Sequence, residues 1–194
     1  MNYLLSAFAS GRWLQLLQVA LFVVTAVLAA RNTRETRRRI RFGALSVIGG
    51  SVIVAAVWLV STPAVGQGIV SIWTGLILLL TAVLIVTRVL SFDTVTIQSI
   101  FGAVSAYLIL GLMFASFYAA IYHLGGGHFF AGSQPANTKT FQYFSFTTLT
   151  TLGYGDFTAA GNGGRAVAVL EALSGQIFLA TLVARLVAAF RSKR

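Results

Sequence analysis

The stretch Thr147–Phe157 reads TTLTTLGYGDF. It sets four threonines, two glycines and an aspartate inside a chain that is 57% hydrophobic. Glycine permits backbone angles that other residues resist. Irregular backbone of this kind is tolerated at membrane depth only where it is buried in protein or lines a watery cavity. The reading of this stretch therefore depends on whether the chain around it lies in a membrane.

Composition answers that first question. Of 194 residues only 9% are charged, against roughly 25% in ordinary soluble domains. Five apolar runs approach the ~20 residues of helix that span a bilayer. They lie near Trp13–Ala30, Phe42–Val60, Ile69–Leu90, Ile100–Leu124 and Ala166–Phe190. The first is the shortest, and its arginines follow the apolar core rather than precede it, which reads as stop-transfer and not as a leader. The joints RNTRETRRRIR, STPAVGQG and SFDTVTIQ are too short for a soluble domain, and RSKR ends the sequence. The absence of cysteine excludes disulfides, thiol nucleophiles and cysteine-held zinc. Two histidines, His123 and His128, and four carboxylates leave little for metal or acid–base chemistry.

The net charge of +10 is a topology signal. With the Arg31–Arg41 loop on the cytoplasmic side, eleven basic residues fall inside and three outside, namely Arg12, Lys139 and Arg165. Positive loops stay cytoplasmic, so the expected topology is N-terminus out and C-terminus in. No folded basic surface exists to present to nucleic acid. Anionic lipid headgroups are the fitting partner for the Arg31–Arg41 cluster. Arg31, Arg34 and Arg37 recur every third residue, but Asn32, Thr33, Glu35 and Thr36 between them cannot sit in lipid, and a voltage-sensing ladder must lie within an apolar span.

This orientation puts Gly125–Arg165 on the outer side. Within it, Thr140–Thr150 (TFQYFSFTTLT) is aromatic and hydroxylated. At about three helical turns it is too short to span and suits a re-entrant helix, with Asn137 or Thr138 capping its start. In the strand that follows, glycines at alternating positions can turn successive carbonyls to one side. These carbonyls, with the Thr151 hydroxyl, would make a ladder of oxygen ligands.

Thr151-Leu152-Gly153-Tyr154-Gly155-Asp156 resembles the selectivity-filter signature of the potassium channels: threonine, an aliphatic residue, then Gly-Tyr-Gly-Asp. The resemblance covers about Phe101 to Arg194, where an outer helix, a pore helix and an inner helix follow in the order of the prokaryotic two-helix pore module. The first half resembles the extra spans of small bacterial channel proteins more loosely. The resemblance implies an all-α membrane protein of about five transmembrane helices with a re-entrant pore helix and extended filter. It divides the chain into 1–98, a three-helix membrane region, and 99–194, a pore domain. It implies a homotetramer in a prokaryotic cell membrane, with four filters replacing the water shell of K+. No cofactor is expected beyond the permeant ion. Backbone carbonyls of Thr151, Leu152, Gly153 and Tyr154 would coordinate it, with Gly155 completing the filter. Asp156, Tyr143, Thr147 and Glu171 would support it, and Tyr154 would pack its ring on the pore helix.

Many relatives carry a tryptophan pair where this chain has Tyr143 and Phe144, and Phe144 cannot donate a hydrogen bond to Asp156 or Tyr154. Thr147 stands where some relatives have glutamate, and Ala159 where they often have proline. These departures bear on filter rigidity and inactivation rather than on ion chemistry.

Glu171 is the only carboxylate inside a span. Such a group is a functional candidate by default; it either tethers the inner helix to the pore helix or contacts the ion. Gly175 lies where relatives have a hinge glycine, and either bends the inner helix or permits close helix contact. Three other functions compete. Gly153-Tyr154-Gly155-Asp156 also fits the GxGD signature of intramembrane aspartyl proteases, but the one other aspartate, Asp93, falls on the opposite face. Potassium-uptake transporter subunits resemble four joined pore modules with degenerate filters, and this chain has a single module. Non-selective cation channels tend to lose the tyrosine–glycine pair that is intact here.

Overall fold

The computed structural model describes residues 49–191, apart from 53, 55, 56, 58, 59, 92–94 and 133. The run Trp13–Ala30, the Arg31–Arg41 cluster and Asp93 lie outside the described residues. Of the run Phe42–Val60, helical backbone is described at 49–52, 54, 57 and 60.

Four helices follow: α1 (Pro63–Leu90), α2 (Ile97–Gly125), α3 (Thr138–Leu149) and α4 (Asn162–Arg191). No strand occurs among the described residues. Three of the helices are long and apolar enough to cross a membrane: α1, α2 and the Asn162–Arg185 stretch of α4. The protein is an all-helical integral membrane protein.

The helix starts have local causes. Pro63 opens α1, where its fixed φ suits the first turn and its missing N–H is not needed. STPAVGQG was expected to be a joint, yet the helix runs through Gly66 and Gly68 from Pro63 onward. Packing explains the extension, because Leu124 of α2 lies so close to Gly68 that a Cβ there would fall 2.6 Å from it. Thr96 and Ser99 close a reciprocal capping box on α2, and Gly126 ends that helix in the left-handed region at φ 65°. Asn137 caps α3 by accepting from the Lys139 and Thr140 N–H groups. The last helix begins at Asn162, four residues before the apolar run.

Helix α2 is the centre of the arrangement and packs against α1, α3 and α4, while α3 also packs against α4. The core is aromatic. Phe129 and Phe130, from the α2–α3 connection, meet Phe141 and Phe144 of α3 and Tyr118 of α2. A bridge between Phe130 and Ala159 ties that connection to the loop after the glycine-rich stretch. Two bonds make it, from the Ala131 N–H to the Thr158 carbonyl (2.8 Å) and from the Ala160 N–H to the Phe129 carbonyl (2.8 Å). Arg165 donates to the Ala159 carbonyl at 3.0 Å. The glycine-rich stretch is thereby anchored at both ends, by α3 before it and by this bridge after it.

Candidate ion-conduction site

Helix α3 has 12 residues, about 18 Å at 1.5 Å per residue, too short to span. Its end delivers the chain into Thr151–Asp156, all six residues of which are exposed in the single chain. The backbone there alternates. Thr151, Gly153 and Gly155 have φ of 57°, 53° and 79°, and neither Leu152 nor Tyr154 between them has a positive φ. A β-branched residue in the left-handed region is an outlier, and strain of this kind gathers at functional sites. The N–H of Thr151 donates to the Thr148 carbonyl (3.0 Å) and that of Gly153 to the Thr147 carbonyl (3.1 Å). The amides thus turn toward the end of α3. None of the carbonyls from Thr151 to Gly155 accepts a hydrogen bond among the described residues.

Asp156 is held at three points. Tyr143 donates its hydroxyl to Oδ2 at 2.8 Å. The Phe157 N–H donates to Oδ1 at 3.1 Å. Gln134 donates its Nε2 to the Asp156 carbonyl at 2.6 Å. Gln134 Oε1 is buried without a hydrogen-bond partner among the described residues. Turning the amide over would set two acceptors face to face, so its orientation follows from the Asp156 carbonyl.

Thr147 touches the stretch through its backbone; its hydroxyl donates within α3 to the Phe144 carbonyl at 3.0 Å. Tyr154 is 68% exposed in the single chain. At the start of the stretch, the Thr151 hydroxyl donates to the Thr150 carbonyl at 2.7 Å, and Gln176 of α4 brings its Nε2 to 3.5 Å from Thr151 Oγ1.

Glu171 is fully buried. Tyr118 of α2 donates to its Oε2 at 2.5 Å, and its Oε1 meets Ser145 Oγ of α3. Ser145 Oγ in turn lies 2.6 Å from the Gly111 carbonyl of α2. Three oxygen–oxygen contacts in series need three protons. Two hydroxyls bring two, and the set is complete when Glu171 carries the third. A carboxylate there would leave Ser145 with two acceptors and one proton. Glu171 therefore acts as a junction of α2, α3 and α4, not only as a tie between the inner and pore helices.

Gly175 has a packing reason to be glycine. A Cβ there would fall 2.4 Å from the Leu149 carbonyl at the end of α3, and α4 runs through it unbroken. The Tyr107 hydroxyl donates to that same carbonyl at 3.0 Å. Sequence reasoning missed Tyr107, Tyr118, Gln134, Ser145 and Gln176. Of these, Ser145 alone left a trace, as one of the hydroxyls crowded into α3.

The arrangement defines a class, an integral membrane helical bundle that presents an extended, carbonyl-bearing stretch at the end of a short helix. Residues 102–192, just under half of the chain, match the model of a family described as ion channels. The match supports ion conduction as the work of this segment. No curated protein and no solved structure matches the chain.

Proposed function

We propose that the protein is a potassium-selective channel, in which residues 99–194 of four chains enclose a central pore. The observation that carries this reading is the alternating backbone of Thr151–Gly155. In an ordinary strand successive peptide groups point to opposite sides. Here the sign of φ alternates residue by residue, and the amides of Thr151 and Gly153 are committed to α3. In this reading the carbonyls of Thr151, Leu152, Gly153 and Tyr154 form a column of oxygens, with the Thr151 hydroxyl at its inner end. Rings of such carbonyls replace the hydration shell of K+.

One chain supplies one quarter of the ligands, so closed fourfold symmetry follows. The exposure of the whole stretch in the single chain, the Tyr154 ring included, fits an adjacent copy covering it. The C-terminal end of α3 faces the inner end of the column, where a helix dipole favours a cation. Asp156, Tyr143 and Gln134 brace the outer end. The basic residues favour an outside N-terminus and a cytoplasmic C-terminus, with the Arg31–Arg41 cluster against anionic headgroups.

Ion flux into liposomes containing the purified protein tests the reading. Potassium should pass well ahead of sodium, and barium, similar in size but doubly charged, should block. Equal sodium and potassium flux would leave a non-selective cation channel as the better account.

A further inference from the structure

The last turn of α1 leaves four carbonyls without partners in its own helix, as every helix end does. Ser91 takes the first two. Its N–H donates to the Thr87 carbonyl (3.1 Å) and the Arg88 carbonyl (3.2 Å), and its hydroxyl donates to Arg88 as well, at 2.8 Å. The remaining two are taken from far away in sequence. Arg185 of α4 donates Nη1 to the Val89 carbonyl at 2.6 Å and Nη2 to the Leu90 carbonyl at 3.2 Å. One planar guanidinium thus completes the cap of a helix 95 residues earlier, at the end where the helix dipole favours a cation.

The position along α4 matters. Arg165 and Arg185 are twenty residues apart in one helix, about 30 Å, which is the thickness of the hydrocarbon core. Arg185 therefore stands at the membrane boundary opposite the filter, about ten residues beyond Gly175. An arginine at this depth can extend its head to the lipid headgroups. Arg185 instead reaches a protein partner that offers two acceptors.

Helix α1 packs on α2 and α4 packs on α2 and α3, so α1 stands on the flank of the bundle. In the proposed ring α4 lines the axis and α1 is peripheral. In that ring the bonds from Arg185 to the end of α1 tie the inner end of α4 to the periphery. We propose that Arg185 is a positioning residue that clasps the inner end of the pore-lining helix to α1, holding the inner mouth wide, so that the 1–98 region sets how often the pore conducts. The proposal rests on the reading of residues 102–192 as a conducting pore, but not on potassium selectivity.

Single-channel recording of the full chain in planar bilayers tests it. Arg185→Gln should lower open probability by about tenfold or more, since two charge-assisted bonds are lost in each subunit. Unitary conductance and the potassium-to-sodium ratio should stay unchanged. Arg185→Lys should fall between, because an ammonium lacks the two-pronged reach of guanidinium. The chain has no cysteine of its own, so Leu90→Cys with Arg185→Cys can be bridged by a short bis-thiosulfonate linker. Bridging should restore the open probability that the unbridged double variant has lost. Should Arg185→Gln fail to assemble, the double variant before and after bridging carries the test. An open probability in Arg185→Gln equal to or above wild type overturns the clasp, as does bridging without effect. A wild-type protein that passes no ion overturns the conducting reading itself, whereas lost selectivity with an intact Arg185 effect leaves the clasp standing.

Discussion

Glu171 meets hydroxyls from two other helices, Tyr118 and Ser145. A glutamine in its place keeps one acceptor for Tyr118 and one donor for Ser145, so Glu171→Gln should keep selectivity and assembly. Glu171→Ala leaves buried hydroxyls unpaired, at about 1–3 kcal/mol for each unsatisfied group. Thermal unfolding of the assembled protein should show a clear loss for alanine and little change for glutamine; equal melting of all three would remove the junction from the account. At the outer end, Tyr143→Phe deletes the hydroxyl on Asp156 and keeps the ring against Phe157, 5.4 Å between centroids. The lost bond is worth about 1 kcal/mol. Current in this variant should decay faster during sustained activation, with unitary conductance unchanged. Glu171 was legible in the sequence because a lone carboxylate in an apolar span is conspicuous. Its partners were not, since Tyr118 and Ser145 lie 53 and 26 residues away.

Among the elements, α3 and α4 meet at Gly175 and Leu149. The sequence left Gly175 open between a hinge and a close contact. The 2.4 Å approach of a built Cβ to a backbone carbonyl favours the contact, and the two readings separate experimentally. Alanine for glycine inside a free helix is favourable by roughly 0.5–1 kcal/mol. Overpacking against a fixed backbone is instead unfavourable by typically 1–3 kcal/mol. Gly175→Ala should therefore lower the melting temperature; a raised melting temperature with altered gating would restore the hinge. Helix α3 itself was largely legible, with the observed Thr138–Leu149 close to the expected Thr140–Thr150. Its cap, Asn137, is a local device that a sequence displays openly.

For the whole molecule, the proposed function demands four copies. Native mass measurement in mild detergent should give a tetramer, and a stable conducting dimer would contradict it, because the chain holds a single GYGD stretch. Voltage dependence should be weak. Moving one charge across 100 mV is worth about 2.3 kcal/mol, and steep gating needs several such charges in each subunit. Arg185 lies at the boundary and is fixed to Val89 and Leu90. Neutralising Arg31, Arg34 and Arg37 together should disturb insertion or lipid affinity. A large parallel shift of a steep activation curve in that triple variant would mean that these arginines cross the field.

The membrane class, the long apolar helices, the short helix before the glycines and the Thr151–Asp156 motif all follow from the sequence alone. Each depends on composition or on residues a few positions apart. Which helix faces meet was decided only by tertiary structure. A span that is apolar on every side has no stripe to mark its buried face, and in lipid there is no hydrophobic drive to orient one helix on another. Aromatic rings, small residues, buried hydroxyls and the Arg185 guanidinium fix the packing instead. Gly175 on Leu149, Glu171 between Tyr118 and Ser145, and Arg185 on the end of α1 are contacts between distant segments, and no local pattern encodes them.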